Sequence, residues 1–291
     1  MTEAGPIALR ARAEALAAPL PPLLAEAEHL AATVTMGEHG RRRPGAGSAF
    51  WQYRPALPFD PSGSIDWRRS ARSDEAYVRE TEWQIAQSVM LWVDPSASMD
   101  YASPKMAPKK ERARLLALGS AVLLTRGGER VGLSGLRLPP RRHAGQLLRL
   151  AELLAQDDQA DYGAPDIHGL PPQSRALFLS DFLGDPAPVE AALTGAAERG
   201  VRGVLMMVLD PAEEGFPFGG RTIFESMAGG LRHETRQARD LKDRYLERLA
   251  ERKDRLAALA RATGWLFEVH HTDASAASAL LWLYGALERR G

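Results

Sequence analysis

Asp94-Pro95-Ser96-Ala97-Ser98 places one carboxylate and two hydroxyls on a single tight stretch of chain. Hard divalent cations take oxygen ligands, and Mg²⁺ takes roughly six of them in a near-octahedral array. Asp94 supplies a charged oxygen, and Ser96 and Ser98 supply neutral ones. A second carboxylate, Asp181, follows another apolar run and is placed to hold a metal-bound water. One carboxylate in direct contact leaves the ion electron-poor, so it seeks an acidic oxygen from outside, such as an Asp or Glu of a partner protein. That chemistry is recognition rather than hydrolysis, because the pattern sets no general base beside the metal. The same residue types also build turns and helix caps, and Asp94 as a plain cap is an equally open reading at this level.

These side chains need elements to carry them. Ser88 to Val93 is a short apolar run and reads as a buried strand. Residues 109–126 carry Leu115, Leu116, Leu118, Val122 and Leu123 at helical spacing, and Gly127-Gly128 ends the helix. Strands follow at 130–136, 176–180, 201–209 and 265–270, and helices at 145–155, 187–199, 236–262 and 274–289. Gly264 closes the long charged helix. Apolar strands alternating with amphipathic helices predict an α/β fold, a doubly wound, mostly parallel sheet of Rossmann-like type covered on both faces. In such sheets ligands bind at the carboxyl ends of the strands, near the point where the strand order reverses. Asp94, Asp181 and Asp210 each follow a strand, as do His270, His271 and Asp273.

The predicted division is an N-terminal helical and β extension over 1–84 and the α/β domain over 85–291. Residues 7–35 read as helix broken near Pro19, Pro21 and Pro22, 37–49 as loop, 50–75 as irregular, and Tyr77 to Trp83 as a strand. The long connection 210–235 carries a small hairpin, 221–225 with 231–235, of the kind that serves as an interaction surface.

Composition removes several function classes. Lys+Arg 37 against Asp+Glu 37 leaves no formal net charge, which argues against a dedicated nucleic-acid binder. The absence of cysteine excludes disulfides, thiolate catalysis and Cys-ligated zinc. The first residues have no apolar core of a signal peptide, and the longest apolar runs, such as Val204 to Leu209, fall far short of the ~20 residues a membrane span needs. A cytoplasmic protein without a transmembrane segment is expected, with peripheral membrane contact left open. No P-loop, no dinucleotide-binding glycine pattern, no nucleophile elbow and no His-Glu-x-x-His occurs.

Three blocks carry a family resemblance. They are Gly63-Ser64-Ile65-Asp66-Trp67-Arg68-Arg69-Ser70-Ala71-Arg72, then Tyr77 to Glu82, then Val89 to Met99. With Ser180-Asp181-Phe182, Asp210-Pro211-Ala212-Glu213 and Phe216-Pro217-Phe218, they resemble the bacterial family called domain of unknown function 58 over roughly residues 30–285. The resemblance implies a von Willebrand factor A-like domain with a metal-ion-dependent adhesion site holding Mg²⁺ or Mn²⁺. Asp94, Ser96 and Ser98 would be its loop ligands and Asp181 its distal carboxylate. It also implies a non-enzymatic role beside a MoxR-type AAA+ ATPase and its client proteins, in assembling or remodelling complexes. A full adhesion site adds a Thr on the loop after the second or third strand. The stretch read as that loop, Leu138 to Gly145, has neither Thr nor Ser. A Mg²⁺-dependent hydrolase or phosphoryl-transfer enzyme on the same carboxylates, and a metal-free scaffold, are the alternatives.

Other residues are expected to do less. Asp66, Trp67, Arg68 and Arg72 read as an ion-pair cluster at a buried junction. His270 and His271 point to opposite faces of a strand and so do not easily meet one ion. Arg41-Arg42-Arg43 reads as a solvated loop.

Overall fold

A computed structural model describes residues 22–37, 50–57, 65–71, 75–81, 87–135, 138–225, 227, 229 and 232–288. The chain runs α1 (Pro22–Gly37), β1 (Phe50–Pro55), α2 (Trp67–Ser70), β2 (Tyr77–Thr81), β3 (Ser88–Val93) and a 3₁₀ turn (Ala97–Asp100). It continues with α3 (Lys109–Arg126), β4 (Arg130–Leu133), β5 (Leu138–Arg141), α4 (Ala144–Leu154), β6 (Arg175–Ser180), α5 (Pro186–Glu198) and β7 (Arg202–Leu209). The last elements are α6 (Pro211–Gly215), β8 (Thr222–Glu225), β9 (Arg232–Thr235), α7 (Arg239–Thr263), β10 (Leu266–His271) and α8 (Ala276–Glu288).

The central sheet has six strands in the order β10-β7-β6-β3-β4-β5. All its neighbours pair in parallel except β4 with β5. Alternation along each strand sends side chains to two separate cores. On one face Val89, Leu91 and Val93 of β3 join Leu177, Leu179, Val204, Met206 and Val208 under α1, α3, α4 and α8. On the other, Met90 and Trp92 join Phe178, Leu205, Met207 and Leu209 under α5 and α7. The fold is thus mixed α/β with a mostly parallel, Rossmann-like sheet flanked by helices on both sides. Each fully buried Leu or Phe contributes about 2–3 kcal/mol to it. Trp265, just before β10, pins that second core by donating its indole N–H to the Val201 carbonyl at 3.1 Å and by packing 4.9 Å from the Phe178 ring.

The helix predicted to close at Gly264 does so in a left-handed cap, at φ +72°. Ala27, Ala31 and Val34 of α1 belong to the same core as α3 and α8, so this part of the N-terminal region completes one face of the sheet. The strand β2 pairs antiparallel with β1, which the irregular reading of 50–75 had missed. Leu138 to Arg141, read as loop, is the antiparallel edge strand β5; its two adjacent prolines are tolerated because one flank is open and the pairing with β4 is irregular between Val131 and Leu133. Asp66 caps α2 by accepting from the Arg69 N–H at 3.1 Å. Trp67 is 63% exposed and Arg68 is exposed, so these residues do not form the buried junction expected of them, and Arg72 lies outside the described residues. Arg41-Arg42-Arg43 lies outside them as well. Among the described residues no helix is long and apolar enough to cross a membrane.

His270 and His271 diverge as a strand requires. His271 faces Glu214 at 2.7 Å, while His270 is buried beside Arg112, at 3.4 Å. Arg112 also clamps the turn after β10 through the carbonyls of Thr272 and Ala274. Burial, with the Arg112 charge added, pulls the His270 imidazole down to about 4 from its ordinary 6.5. The folded state therefore resists a proton that the unfolded chain accepts below 6.5. Stability from this group is complete above pH 6.5 and drains away as the pH falls towards 4, by roughly 2–3 kcal/mol at pH 4.5. Urea unfolding at pH 7.5 and pH 4.5 should show that His270→Gln loses less stability between the two than the unaltered protein does, by about that amount; an equal loss in both would contradict this.

Candidate functional site

The chain builds β3, β4 and β5 outward in one direction, then crosses back to build β6, β7 and β10 in the other. The reversal lies between β3 and β6, and their carboxyl ends carry Asp94 and Asp181. The Asp94 N–H donates to the Leu179 carbonyl at 2.9 Å, which draws the two strand ends together. Ser96 donates its N–H to Asp94 Oδ1 at 2.9 Å, and the Ser180 hydroxyl donates to Asp94 Oδ2 at 2.6 Å. The hydroxyl oxygens of Ser96 and Ser98 lie 3.3 Å apart. All four predicted residues are buried. Burial pushes the Asp94 carboxyl above the usual carboxylate range, against hydrogen bonds from Ser180 and Ser96 that pull it down.

After β6 the backbone turns sharply. Phe182 sits at φ +49°, a left-handed conformation that costs a bulky residue about 1 kcal/mol or more. The turn lets Phe182 N–H donate to the Ser180 hydroxyl at 3.0 Å and Leu183 N–H donate to Asp181 Oδ1 at 3.1 Å. The Phe182 ring, buried and 6.4 Å from Trp92, helps offset the strain.

The segment that covers the Asp94 loop is 158–163, not 138–145. Ala97 and Ser98 donate their N–H groups to the carbonyls of Ala160 and Asp161, at 2.8 and 2.9 Å, and Asp158 N–H returns a bond to Pro95 at 3.0 Å. The stretch expected to supply a covering loop is edge strand β5, separated from β3 by β4. The covering segment Asp158 to Asp166 also contains no Thr or Ser. Gly163 lies directly over Asp94: a Cβ there would come within 2.2 Å of Asp94 Oδ1.

Sequence reasoning missed the cation of the site. Lys109 and Lys110 open α3, where the helix dipole disfavours positive charge. Both are buried and both are compensated. Lys110 reaches Asp100 at 2.7 Å and Asp157 at 3.0 Å. Lys109 donates to Asp181 Oδ2 at 2.8 Å and to Glu213 Oε1 at 2.6 Å. Burial alone would lower the Lys109 ammonium, but the two carboxylates outweigh it and hold it above its ordinary value, so it stays charged. Burial pushes Glu213 up, against the pull of Lys109. Two lysines on the wrong end of a helix were the readable signal. Glu213 was readable as well, since Asp210-x-x-Glu213 spells a capping box. Its reciprocal bonds cap the start of α6, while Asp210 also accepts from the Ser103 N–H and hydroxyl at 2.9 and 3.0 Å.

A half-open cleft of about 150 Å³ opens on this cluster, lined by Ser98, Lys109, Asp181 and Glu213, with Tyr162 and Met227 also on its wall. Ser98 and Asp181 face it; Asp94 and Ser96 stand behind. Among the described residues no three His, Asp or Glu side chains gather closely enough to hold a metal ion by themselves, so any ion here needs the serine hydroxyls. Those hydroxyls fit: adjacent oxygens around Mg²⁺ at 2.0–2.1 Å stand about 2.9 Å apart, and the observed pair needs only a small inward shift. Charge fits as well. Asp94, Asp181, Asp210 and Glu213 outnumber Lys109, and a dication reduces that excess.

The uncharacterized protein Rv1480 of Mycobacterium tuberculosis is 27% identical over 246 residues, covering 79% of this chain and 77% of that protein. Uncharacterized protein Mb1516 of Mycobacterium bovis matches to the same extent. Among solved structures, BatB from Bacteroides thetaiotaomicron has a TM-score of 0.38 at 16% identity, over 69% of this chain and 98% of that one. An aerotolerance-related membrane protein from Bacteroides fragilis has a TM-score of 0.36 at 14% identity, over the same shares. The family model for the protein of unknown function DUF58 matches residues 52–255, more than half of the sequence, and the chain belongs to that family.

Proposed function

We propose that this chain is a non-enzymatic interaction module of the von Willebrand factor A-like kind, acting in the cytoplasm. It would capture an acidic residue of a partner through one Mg²⁺ or Mn²⁺ held by Asp94, Ser96, Ser98 and Asp181. The observation that supports this reading is that Asp94, Ser96 and Ser98 are bonded into one loop at the switch point of the sheet, with Ser98 and Asp181 lining the same half-open cleft. The ion, when bound, supplies an oxygen-seeking positive centre. Ser96, Ser98 and Asp181 would hold it, and Asp94 would add charge while its own hydrogen bonds order the loop.

The carboxylates themselves favour binding over turnover. Asp94 accepts from Ser96 and Ser180, Asp181 from Leu183 and Lys109, Glu213 from Lys109 and Asp210, and Asp210 from Ala212 and Ser103. Each has both oxygens engaged by donors, which suits fixed charges better than a proton shuttle. The cleft has room for a side chain, and its rim of Tyr162 and Met227, 42% and 48% exposed, offers apolar flanks to the chain that carries the acid. A MoxR-type AAA+ ATPase, or a client of one, is the proposed partner, on the strength of the family resemblance.

Isothermal titration with Mg²⁺ tests the site. Saturable heat is expected from the unaltered protein and none from Asp94→Ala, with the fold intact by circular dichroism; silence from both would overturn the reading. A second substitution probes the covering loop. Gly163→Ala drives a methyl into Asp94 Oδ1, so the loop or the carboxylate must move. It should weaken Mg²⁺ binding at least tenfold and lower stability by about 1–3 kcal/mol. Unchanged binding and melting would show that Gly163 does not press on the site.

A further inference from the structure

Lys109 is 1% exposed, and its ammonium bridges two carboxylates in the floor of the cleft, Asp181 at 2.8 Å and Glu213 at 2.6 Å. Both partners are held from their other sides, Asp181 by the Leu183 N–H and Glu213 by the Asp210 N–H, so the ammonium contacts are fixed rather than wandering. Nζ also lies 5.8 Å from the Tyr101 ring centroid, which adds a third constraint. Burying a lysine at the positive end of a helix is unfavourable unless its charge is used. Here it engages Asp181, the carboxylate assigned above to the divalent ion, and lines the same cleft as Ser98.

We propose that Lys109 is a built-in competitor for the divalent ion, which keeps the metal affinity of the Asp94, Ser96, Ser98 and Asp181 site low until a partner's carboxylate arrives. This rests on the metal-site reading and adds to it the residue that sets affinity. Two cations sharing one buried carboxylate repel each other. An incoming carboxylate offsets that repulsion, so metal and partner each tighten the other's binding by the same factor. Lys109 touches neither the partner nor the ion in this scheme; it is a positioning residue acting through Asp181. If Lys109 merely held Asp181 in place for the metal, its removal would weaken metal binding, the opposite sign.

Mn²⁺ binding to the full chain, read by electron paramagnetic resonance, separates the two. Lys109→Met is expected to bind Mn²⁺ at least tenfold more tightly than the unaltered protein. Because that variant leaves two buried carboxylates without their cation, Lys109→Met combined with Glu213→Gln is compared with Glu213→Gln alone, and the same tenfold gain is expected. Acetate, as the carboxylate probe, should tighten Mn²⁺ binding in the presence of Lys109 and do so less without it. Equal or weaker Mn²⁺ affinity on removing Lys109 overturns the inference and leaves the metal-site reading standing. Mn²⁺ bound only after Lys109 is removed supports the inference while overturning metal capture by the unaltered site, and silence from every variant overturns both.

Discussion

Negative charge buried at the carboxyl ends of parallel strands is the constraint around which this molecule is arranged. Asp94, Asp181 and Asp210 end three neighbouring strands, β3, β6 and β7, and Glu213 joins them from the short helix that follows. Lys109 is the ammonium that meets two of them. Charges so placed are tolerable only where each is bonded. The surrounding backbone supplies those bonds: the Ser96 turn, the strained Phe182 turn, the capping box of α6 and the Ser103 contact each donate to one carboxylate oxygen or another. The loops at this edge are shaped by the acids they satisfy, and the cleft is the gap left in their midst.

The apolar sheet sets the distances. Two-faced strands hold β3 and β6 in register from Val89 with Arg175 to Val93 with Leu179, so the acids that follow have little freedom to drift. The helices on either face bury the remaining surface and fix where α3 begins. Starting α3 at Lys109 brings the ammonium back over the strand ends. Core and site are thereby coupled, since a shift of α3 along its axis would withdraw the cation from Asp181.

Much of the fold was legible because apolar runs and helical spacing alternate cleanly from Ser88 onward. The strands β3, β4, β6, β7 and β10, with α3, α4, α5, α7 and α8, fall close to the ranges read from pattern alone. Edge strand β5 was not legible, because Leu-Pro-Pro-Arg has the composition of a turn and only its place at the rim of the sheet permits it to pair. Asp94, Ser96, Ser98 and Asp181 could be picked out because the switch-point rule names strand ends in advance. Lys109 and Gly163 could not be placed so easily. Their meaning lies in contacts with residues 72 positions later and 69 positions earlier in the chain, and a single sequence gives no register for such pairs. The loop that would carry a Thr is expected at 138–145 for the same reason. Without knowing that β5 intervenes, one cannot tell that the chain returns over Asp94 only at 158–163.

The proposed ion would be held by the two serine hydroxyls and Asp181, drawn by the excess of acid at this switch point. Anomalous diffraction from crystals soaked in Mn²⁺ tests it most directly. The account predicts one strong peak bounded by the hydroxyls of Ser96 and Ser98 and the carboxylate of Asp181, with Asp94 behind it. A map without density there, and with Lys109 alone still bridging Asp181 and Glu213, would contradict it.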